Sequence, residues 1–344
     1  MTEAMNEQEA EALNKPSDHV ERTDKAKILI TGATGFVGQA LCRCLVGRGF
    51  DVQILIRDPA DFHKIPLELG AGMVLGSLEN ETSLAVACAG RDCIIHLAGI
   101  AHVGGRLAKQ AMECNLTGTQ NLLAAAIKAN VSRLVFLSSS LAQAAATGVG
   151  DVTGYGQTKL QAERLLQEAA LAGQIDIAIL RAVNVYGPGM KGNINRMISM
   201  IDKGKLPPLP EIKNQISLLS SQDLSQALLL AMESAKPIEN PITVSDGERY
   251  SVAEIELAIY HTLGQVKPRW RIPHVILYSA SLLAGLVSKL SGGHGSISSR
   301  TYRNLVSDNF FSNDRAKVEL GFKPSATFYQ SLPAIIEALK EDTE

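Results

Sequence analysis

The chain has 344 residues, of which 46% are apolar, and its 33 basic and 35 acidic side chains leave a formal net charge of −2. An apolar fraction of this size is ordinary for a globular protein with a buried core. The near-neutral balance excludes bulk charge as a means of binding nucleic acid or a membrane surface.

The N-terminal tail, residues 1–25, is polar and contains no apolar stretch of the kind that a secretory signal requires, so we expect it to be disordered. The cysteines are five in number, and none belongs to a CxxC pair. An odd count among apolar neighbours predicts reduced, buried thiols in a cytosolic protein. These cysteines are Cys42, Cys44, Cys88, Cys93 and Cys114.

Short β-rich apolar runs alternate with helical patterns from residue 27 onward. The predicted strands are 27–31, 52–56, 92–97, 133–137, 175–180 and 242–244, and the predicted helices include 36–48, 120–129 and 159–172. Ser251 and Glu254 have the spacing of a capping box, which predicts a further helix there. Strands that alternate with helices indicate βαβ units, so the sequence predicts an α/β fold with a doubly wound parallel sheet.

A glycine-rich segment, TGATGFVG, follows the first predicted strand and opens the first predicted helix. Glycines at this spacing permit a tight turn and the close approach of backbone to a pyrophosphate, which the free N–H groups of the helix N-terminus would bind. The context predicts a Rossmann-type dinucleotide site. Its expected cofactor-binding residues are Thr31, Gly32, Thr34, Gly35, Phe36, Val37 and Gly38.

The residue after the second strand indicates which cofactor is bound. Dinucleotide folds usually carry an acidic residue near this point, where it binds the ribose hydroxyls. This chain has Arg57 instead, and Asp58 lies one residue further, against Pro59. A guanidinium pairs well with a 2′-phosphate, so we expect NADP(H) to be preferred, with NAD(H) as the alternative.

Tyr155 and Lys159 are four residues apart in a predicted helix, which places them on one face. A phenol is a poor acid or base at neutral pH because its ordinary pKa is about 10. We expect the Lys159 ammonium to lower the pKa of Tyr155, so that the phenol exchanges a proton with a substrate oxygen. Ser140, just beyond the strand 133–137, is expected to bond the reacting oxygen. The predicted catalytic residues are therefore Ser140, Tyr155 and Lys159.

Together these motifs resemble the extended branch of the short-chain dehydrogenase/reductase superfamily, which contains NAD(P)-dependent epimerases, dehydratases and reductases. The resemblance is carried by TGATGFVG, HLAG at 96–99, NLTGT at 115–119, the triple serine at 138–140, Tyr155 with Lys159, and RAVNVYGP at 181–188. It implies that Leu97, Ala98 and Gly99 also line the cofactor site. It further implies substrate-binding roles for Ser140, Asn184, Asn193 and Arg303, with Arg300 as an alternative to Arg303.

Three positions depart from the family pattern. Ile216 stands where an arginine often binds the substrate phosphate, Ala182 replaces a usual proline, and Ser77 replaces an aspartate near the adenine. The missing arginine leaves open a substrate that is not a nucleotide sugar.

The resemblance implies NADP(H)-dependent reduction of a 4-keto group on a nucleotide-activated sugar, of the UDP-4-keto-6-deoxy-N-acetylhexosamine type, in surface-polysaccharide precursor synthesis. Three alternatives stay open: a UDP-hexose 4-epimerase with tightly bound NAD, a reductase of a non-sugar ketone or aldehyde, and an NADP-sensing regulatory protein. We expect the protein to be a cytoplasmic homodimer that binds a small-molecule substrate. We expect neither a metal site nor a nucleic-acid partner.

The predicted division of the chain follows from these motifs. Residues 26–186 would form the dinucleotide-binding domain, to which 217–247 return, and residues 187–216 and 248–344 would form a smaller substrate-binding lobe. The apolar stretch 272–290 contains polar and charged residues, so we expect a helix packed in that lobe and no stable membrane span, with peripheral membrane association left open.

Overall fold

The computed structural model describes residues 25–65, 71–100, 107–150, 152–279, 281–282, 302 and 305–341, with the backbone alone for 107–114. The strands of its main sheet are β1 (Lys27–Thr31), β2 (Asp51–Ile56), β3 (Gly72–Leu75), β4 (Cys93–His96), β5 (Arg133–Ser139), β6 (Asp176–Ala182) and β9 (Ile242–Val244). These seven strands lie in the order β3-β2-β1-β4-β5-β6-β9.

All pairings in this sheet are parallel, and the strand order reverses at β1, which lies between β2 and β4. Ligands of doubly wound folds bind outside the carboxyl ends of the strands at such a switch point. The predicted Rossmann-type sheet is thereby confirmed. Strand β3 was not predicted, because its residues are mostly exposed and it lacks the apolar run of a central strand.

Helices cover both faces of the sheet, and others pack beside it. They are α1 (Phe36–Gly47), α2 (Glu81–Cys88), α3 (Leu107–Lys128), α4 (Ser140–Thr147), α5 (Gly154–Leu171), α6 (Asn193–Asp202), α7 (Ser221–Glu233), α8 (Val252–Thr262), α9 (Asp314–Leu320) and α10 (Phe328–Glu341), with a 3₁₀ turn at Pro59–Lys64. One apolar core joins α1, α7 and α9 to the sheet, and a second joins α2, α3 and α5 to the opposite face. Helix α1 buries Leu41, Cys42 and Leu45, which share a face because they are three and four residues apart.

A third core lies beside the sheet, in the region predicted to form the smaller lobe. There β7 (Asn184–Tyr186) pairs in parallel with β8 (Leu218–Ser220), and the rings of Tyr186 and Tyr250 pack edge-on against Phe328. The capping box that opens α8 is present as predicted: Glu254 N–H donates to Ser251 Oγ at 3.2 Å, and Ser251 N–H donates to the Glu254 carboxylate at 2.9 Å.

The apolar stretch 272–290 is described only in part. Residues 274–279 are helical, but Val275, Ile276 and Tyr278 are 74%, 57% and 45% exposed, so this face is not packed in the lobe as predicted. Ser281 is buried and Leu277 is half-buried, so these two residues of the segment face the protein. Among the described residues, no helix is both long enough and apolar enough to cross a membrane.

Cys42, Cys88 and Cys93 are buried and unpaired, and Cys44 is half-buried and unpaired, in agreement with the predicted thiols. The side chain of Cys114 and the N-terminal tail up to residue 24 lie outside the described residues.

Candidate active site

At two of its glycines, the glycine-rich turn after β1 is packed too tightly to accept a side chain. A β-carbon built on Gly32 would lie 2.6 Å from the Ala98 nitrogen, and the positive φ of +79° at Gly32 is itself unfavourable for other residues. A β-carbon on Gly38 would lie 2.3 Å from the Gly32 carbonyl oxygen. The turn is therefore drawn tightly between the start of α1 and the end of β4, as close approach of a ligand phosphate to the backbone requires.

The N-terminus of α1 is open to an anion. Its N-cap is Gly35, which offers no capping side chain, and no acidic residue stands in the first turn. Unsatisfied N–H groups and the positive end of the helix dipole favour a phosphate at such a place. Thr34, Phe36 and Val37 are half-buried around this opening. The residues present fit the pyrophosphate of a dinucleotide.

A buried chain of hydrogen bonds ties the ends of β1 and β4 together. Ala98 N–H donates to Thr31 Oγ1, and Thr31 Oγ1 lies 2.6 Å from His96 Nδ1. His96 Nε2 lies 3.0 Å from Thr119 Oγ1, which in turn donates to the Asn115 carbonyl. Every hydrogen bond of this series has one donor and one acceptor when His96 is neutral with its proton on Nε2. Burial lowers the pKa of His96 to about 3, which favours the neutral form.

The loop that follows β4 is held from α3. Asn115 accepts from the Ile100 N–H at 2.7 Å and donates to the Ile100 carbonyl at 3.1 Å. A β-carbon on Gly99 would lie 3.4 Å from Lys159 Nζ. Leu97, Ala98 and Gly99 therefore run from the glycine turn to the lysine of the catalytic motif. Sequence reasoning assigned no role to His96 or Asn115, although both lie in the family motifs.

The triple serine divides into three roles. Ser138 Oγ donates to Glu163 at 2.5 Å, and Ser139 Oγ caps α4 by accepting from the Leu141 N–H. Ser140 is 6% exposed, and no residue in the described part of the chain bonds its hydroxyl. Ser140 is thus the serine with a hydroxyl left for a substrate oxygen.

Tyr155 is brought close to Ser140 by the packing of α5 on α4. Thr153 caps α5 by accepting from the Gly156 N–H at 2.7 Å, which puts Tyr155 in the first turn. A β-carbon on Gly156 would lie 2.4 Å from the Leu141 carbonyl oxygen, so the two helices meet at backbone distance beside both residues.

The predicted lowering of the Tyr155 pKa is wrong for the chain without its cofactor. Burial raises the pKa of Tyr155 to about 12, because a phenolate loses its hydration there. Burial is the cause of this rise, and the Lys159 ammonium does not reverse it. The ammonium donates to the Leu137 carbonyl at 2.8 Å and lies 4.4 Å from the centre of the Phe136 ring. Tyr155 is protonated at neutral pH, which suits a proton donor.

Lys159 is 4% exposed, and burial lowers its pKa to about 8 while Glu163 opposes that change. Glu163 lies one further helical turn along the same face and is 1% exposed. Its carboxylate receives two hydrogen bonds from Arg181, of 2.9 and 2.6 Å, as well as the bond from Ser138. This buried pair fixes α5 to the ends of β5 and β6. The sequence signal for it was the spacing of Tyr155, Lys159 and Glu163 at intervals of four.

The expected 2′-phosphate site is at the end of β2. Arg57 is exposed immediately after the strand, and the carboxylate of Asp58 accepts from the Ala60 N–H at 2.9 Å, where it caps the 3₁₀ turn. One Asp58 oxygen is thus engaged in capping the turn, and Arg57 is the exposed cation next to the strand end.

The predicted substrate-binding residues are less firmly placed. Asn184 is exposed at the start of β7, and Asn193 is exposed at the start of α6. Ile216 pairs through its backbone with Tyr250 and Asn309, and its side chain packs in the third core. Arg300 and Arg303 lie outside the described residues. Over the part of the chain described, no group of three His, Cys, Asp or Glu side chains has the geometry of a metal site.

The chain is similar over most of its length to proteins with named activities and to solved structures. UDP-glucose 4-epimerase of Vibrio cholerae is 29% identical over 333 residues, which cover 90% of this chain and 96% of that protein. The 2-alkyl-3-oxoalkanoate reductase of Stenotrophomonas maltophilia is 26% identical over 325 residues, with coverage of 89% and 97%. The crystal structure of gox2253 superposes with a TM-score of 0.75 at 25% identity, over 92% of this chain and 99% of that chain.

The family model described as the NAD dependent epimerase/dehydratase family matches residues 28–252. This span contains the glycine turn, the serines at 138–140, Tyr155 and Lys159, and it confirms the resemblance seen in the sequence. The chain belongs to the NAD dependent epimerase/dehydratase family.

Proposed function

We propose that the chain is a reductase that uses NADP(H) to reduce a 4-keto group on a nucleotide-activated sugar, of the UDP-4-keto-6-deoxy-N-acetylhexosamine type. The observation that carries the proposal is the half-buried phenol of Tyr155, whose pKa burial raises to about 12. Its helix meets the start of the Ser140 helix at backbone distance, and no described residue bonds the Ser140 hydroxyl. A site poised with its proton in place suits addition of hydride to a carbonyl, because the new alkoxide must be neutralised. The similarity to a UDP-sugar enzyme supports the substrate class.

In this mechanism the Ser140 hydroxyl donates a hydrogen bond to the carbonyl oxygen and stabilises the negative charge that develops there. Tyr155 donates its phenolic proton to the same oxygen. Lys159 would hold the nicotinamide ribose, the glycine turn would hold the pyrophosphate, and the cofactor, when bound, supplies the hydride. The Leu137 carbonyl and Glu163 keep Lys159 in position for this role.

The cofactor preference is tested by Arg57→Ala. Loss of a charge-assisted contact with a 2′-phosphate is expected to raise KM for NADPH by about tenfold or more, with little change for NADH. Arg43→Ala, which removes an exposed arginine from α1, is the matched control. Equal use of both cofactors by the wild type and by Arg57→Ala would contradict the NADP preference.

The activity is tested by mixing the purified chain with NADPH and UDP-4-keto-6-deoxy-GlcNAc and following the absorbance of the reduced nicotinamide. Consumption of NADPH supports the reductase. Interconversion of UDP-hexose 4-epimers without net consumption would instead identify an epimerase, the alternative that the similarity to the Vibrio cholerae enzyme favours.

A chain that reduces only non-sugar ketones would fit the isoleucine at 216 and the similarity to the oxoalkanoate reductase. If the chain bound NADP(H) but turned over no ketone, it would instead be an NADP-sensing regulatory protein. We also propose that the enzyme is a cytoplasmic homodimer, which analytical ultracentrifugation of the purified chain and fractionation of cells would test.

A further inference from the structure

A cationic helix face lies along α6, which is separate from the catalytic helices α4 and α5 and begins at Asn193. One side of α6 and the residues around it line an open groove of about 510 Å³. Lys191, Arg196, Lys203 and Lys205 line it, and none of its described lining residues is acidic. All four cations are exposed, in a protein whose overall charge is negative.

An exposed apolar segment runs beside this face. Gln265 bonds the Asp202 carbonyl at 3.3 Å, and the Ile272 N–H bonds the Pro208 carbonyl at 3.0 Å, so the two chain segments lie side by side. Between these anchors Val266 is 91% exposed and Trp270 is 66% exposed. The exposed Arg269 lies directly beside Trp270.

The apolar exposure continues into the helical residues that follow. Val275, Tyr278 and Leu282 are spaced three and four apart, so they share one helix face, and each is at least 45% exposed. Ile276 is 57% exposed next to them. Large apolar side chains clustered on a surface mark a site of contact with another molecule or a membrane.

We propose that these residues form a docking surface for an anionic phospholipid membrane. We call it the basic–apolar surface, and it comprises the cations Lys191, Arg196, Lys203, Lys205 and Arg269 and the apolar residues Val266, Trp270, Val275, Ile276, Tyr278 and Leu282. A tryptophan flanked by basic residues and an amphipathic helix face is the composition that peripheral proteins insert at the lipid headgroups. Charge complementarity favours anionic lipid, because the described lining of the α6 groove holds four cations and no acid. The five cations of the surface outnumber the nearby exposed acids, Asp202 and Glu211. Glu256 is paired with Lys267 and Arg271.

The chain provides its own probe for this interaction, since Trp270 is its one tryptophan. The full-length protein is mixed with vesicles of phosphatidylcholine, with or without about 30% phosphatidylglycerol, and its fluorescence and co-sedimentation are measured. We expect a blue shift of the Trp270 emission and sedimentation with the anionic vesicles. Raising the salt from about 0.1 M to about 0.5 M should release the protein, because the attraction is screened.

Two variants separate the contribution of the cations to membrane binding from that of the apolar residues. Lys203→Glu with Lys205→Glu should weaken binding at least about tenfold, and Val275→Ser with Ile276→Ser should weaken it while Trp270 still reports. The matched controls are Lys317→Glu with Lys340→Glu and Val318→Ser, which change exposed residues of α9 and α10 and should bind as the wild type does.

Several results would overturn the proposal. One is the absence of both sedimentation and blue shift at low salt, and another is equal binding to vesicles without phosphatidylglycerol. Wild-type binding by both surface variants would also contradict it. A switch from dimer to monomer in the Val275→Ser, Ile276→Ser variant, without vesicle binding by the wild type, would show that the apolar part is a subunit interface.

Discussion

The cofactor side and the substrate side of the candidate site differ in how firmly the fold holds their residues. On the cofactor side, Thr31, His96 and Lys159 are buried and each is bonded to a named partner. On the proposed substrate side, the predicted residues Asn184 and Asn193 are exposed at the starts of a short strand and a helix.

This difference indicates that the less constrained substrate side, and not the reacting groups, determines substrate specificity. The chemical groups are fixed by packing before any ligand arrives, which is what preorganised catalysis requires. The substrate side has few such constraints, so related chains can act on different substrates with the same reacting groups. The relatives include both a sugar epimerase and an oxoalkanoate reductase, which agrees with this division.

The largest effect is expected from Tyr155→Phe. Removing the proton donor should lower kcat by about 10²- to 10⁴-fold, the usual contribution of a general acid, while nucleotide binding persists. Steady-state kinetics and a binding titration would measure the two quantities. Tyr329→Phe, at a 41% exposed ring, should behave as wild type. Turnover that survives in Tyr155→Phe would remove this residue from the chemistry.

Breaking the buried ion pair with Glu163→Gln should cost about 3 kcal/mol of unfolding free energy, because Arg181 is left without its partner. Glu163 also raises the pKa of Lys159, so the basic limb of the pH–rate profile should move to lower pH. A purely structural role would change the first quantity and leave the second alone. Glu168→Gln, at an exposed position of the same helix, is the control for both measurements.

Gly38→Ala should destabilise the chain by about 1–3 kcal/mol, because the new methyl group would overlap the Gly32 carbonyl. Nucleotide affinity should fall as well, since the turn must open to relieve the overlap. Gly47→Ala is a matched control at the end of the same helix, where a β-carbon meets nothing within 4 Å. Nucleotide binding by Gly38→Ala at wild-type affinity would show that the turn tolerates a side chain.

Per pH unit, the smallest effect is the pH dependence of stability that originates from His96. In the unfolded chain His96 takes up a proton below its ordinary pKa of 6.5, but in the fold it does so only near pH 3. The unfolded state therefore binds more protons in this window, and stability falls as the pH falls from 6.5 toward 3. The slope approaches about 1.4 kcal/mol per pH unit.

Denaturant titrations of the wild type and of His96→Asn should differ by this slope, and His274→Gln, at an exposed histidine, should not. Parallel pH curves for the wild type and His96→Asn would mean that His96 accepts a proton in the fold.

The cofactor side could be predicted from sequence because its determinants are local. The strand before Gly32, the helix after Gly35 and the interval between Tyr155 and Lys159 are each set within a few residues of one another. The parallel pairing of the strands follows from the alternation of strands and helices. The capping box at Ser251 is local in the same sense.

What the sequence did not reveal depends on contacts between distant segments. The pairing of Arg181 with Glu163 joins residues 18 positions apart, and the bond from Thr31 to His96 spans 65 positions. The direction of the Tyr155 pKa shift was wrong because burial cannot be judged from helical spacing alone. The exposed face at Val275 was missed because an apolar run looks the same in sequence whether a neighbouring segment covers it or not.

The ionisation of Tyr155 in the nucleotide-free chain tests the central claim most directly. Near-ultraviolet difference spectra of the wild type and Tyr155→Phe would isolate its phenolate band. The account predicts no phenolate at Tyr155 at pH 10, where an ordinary phenol is about half ionised, because burial holds its pKa near about 12. A phenolate at Tyr155 already present near neutral pH would contradict the assignment of this residue as the stored proton donor.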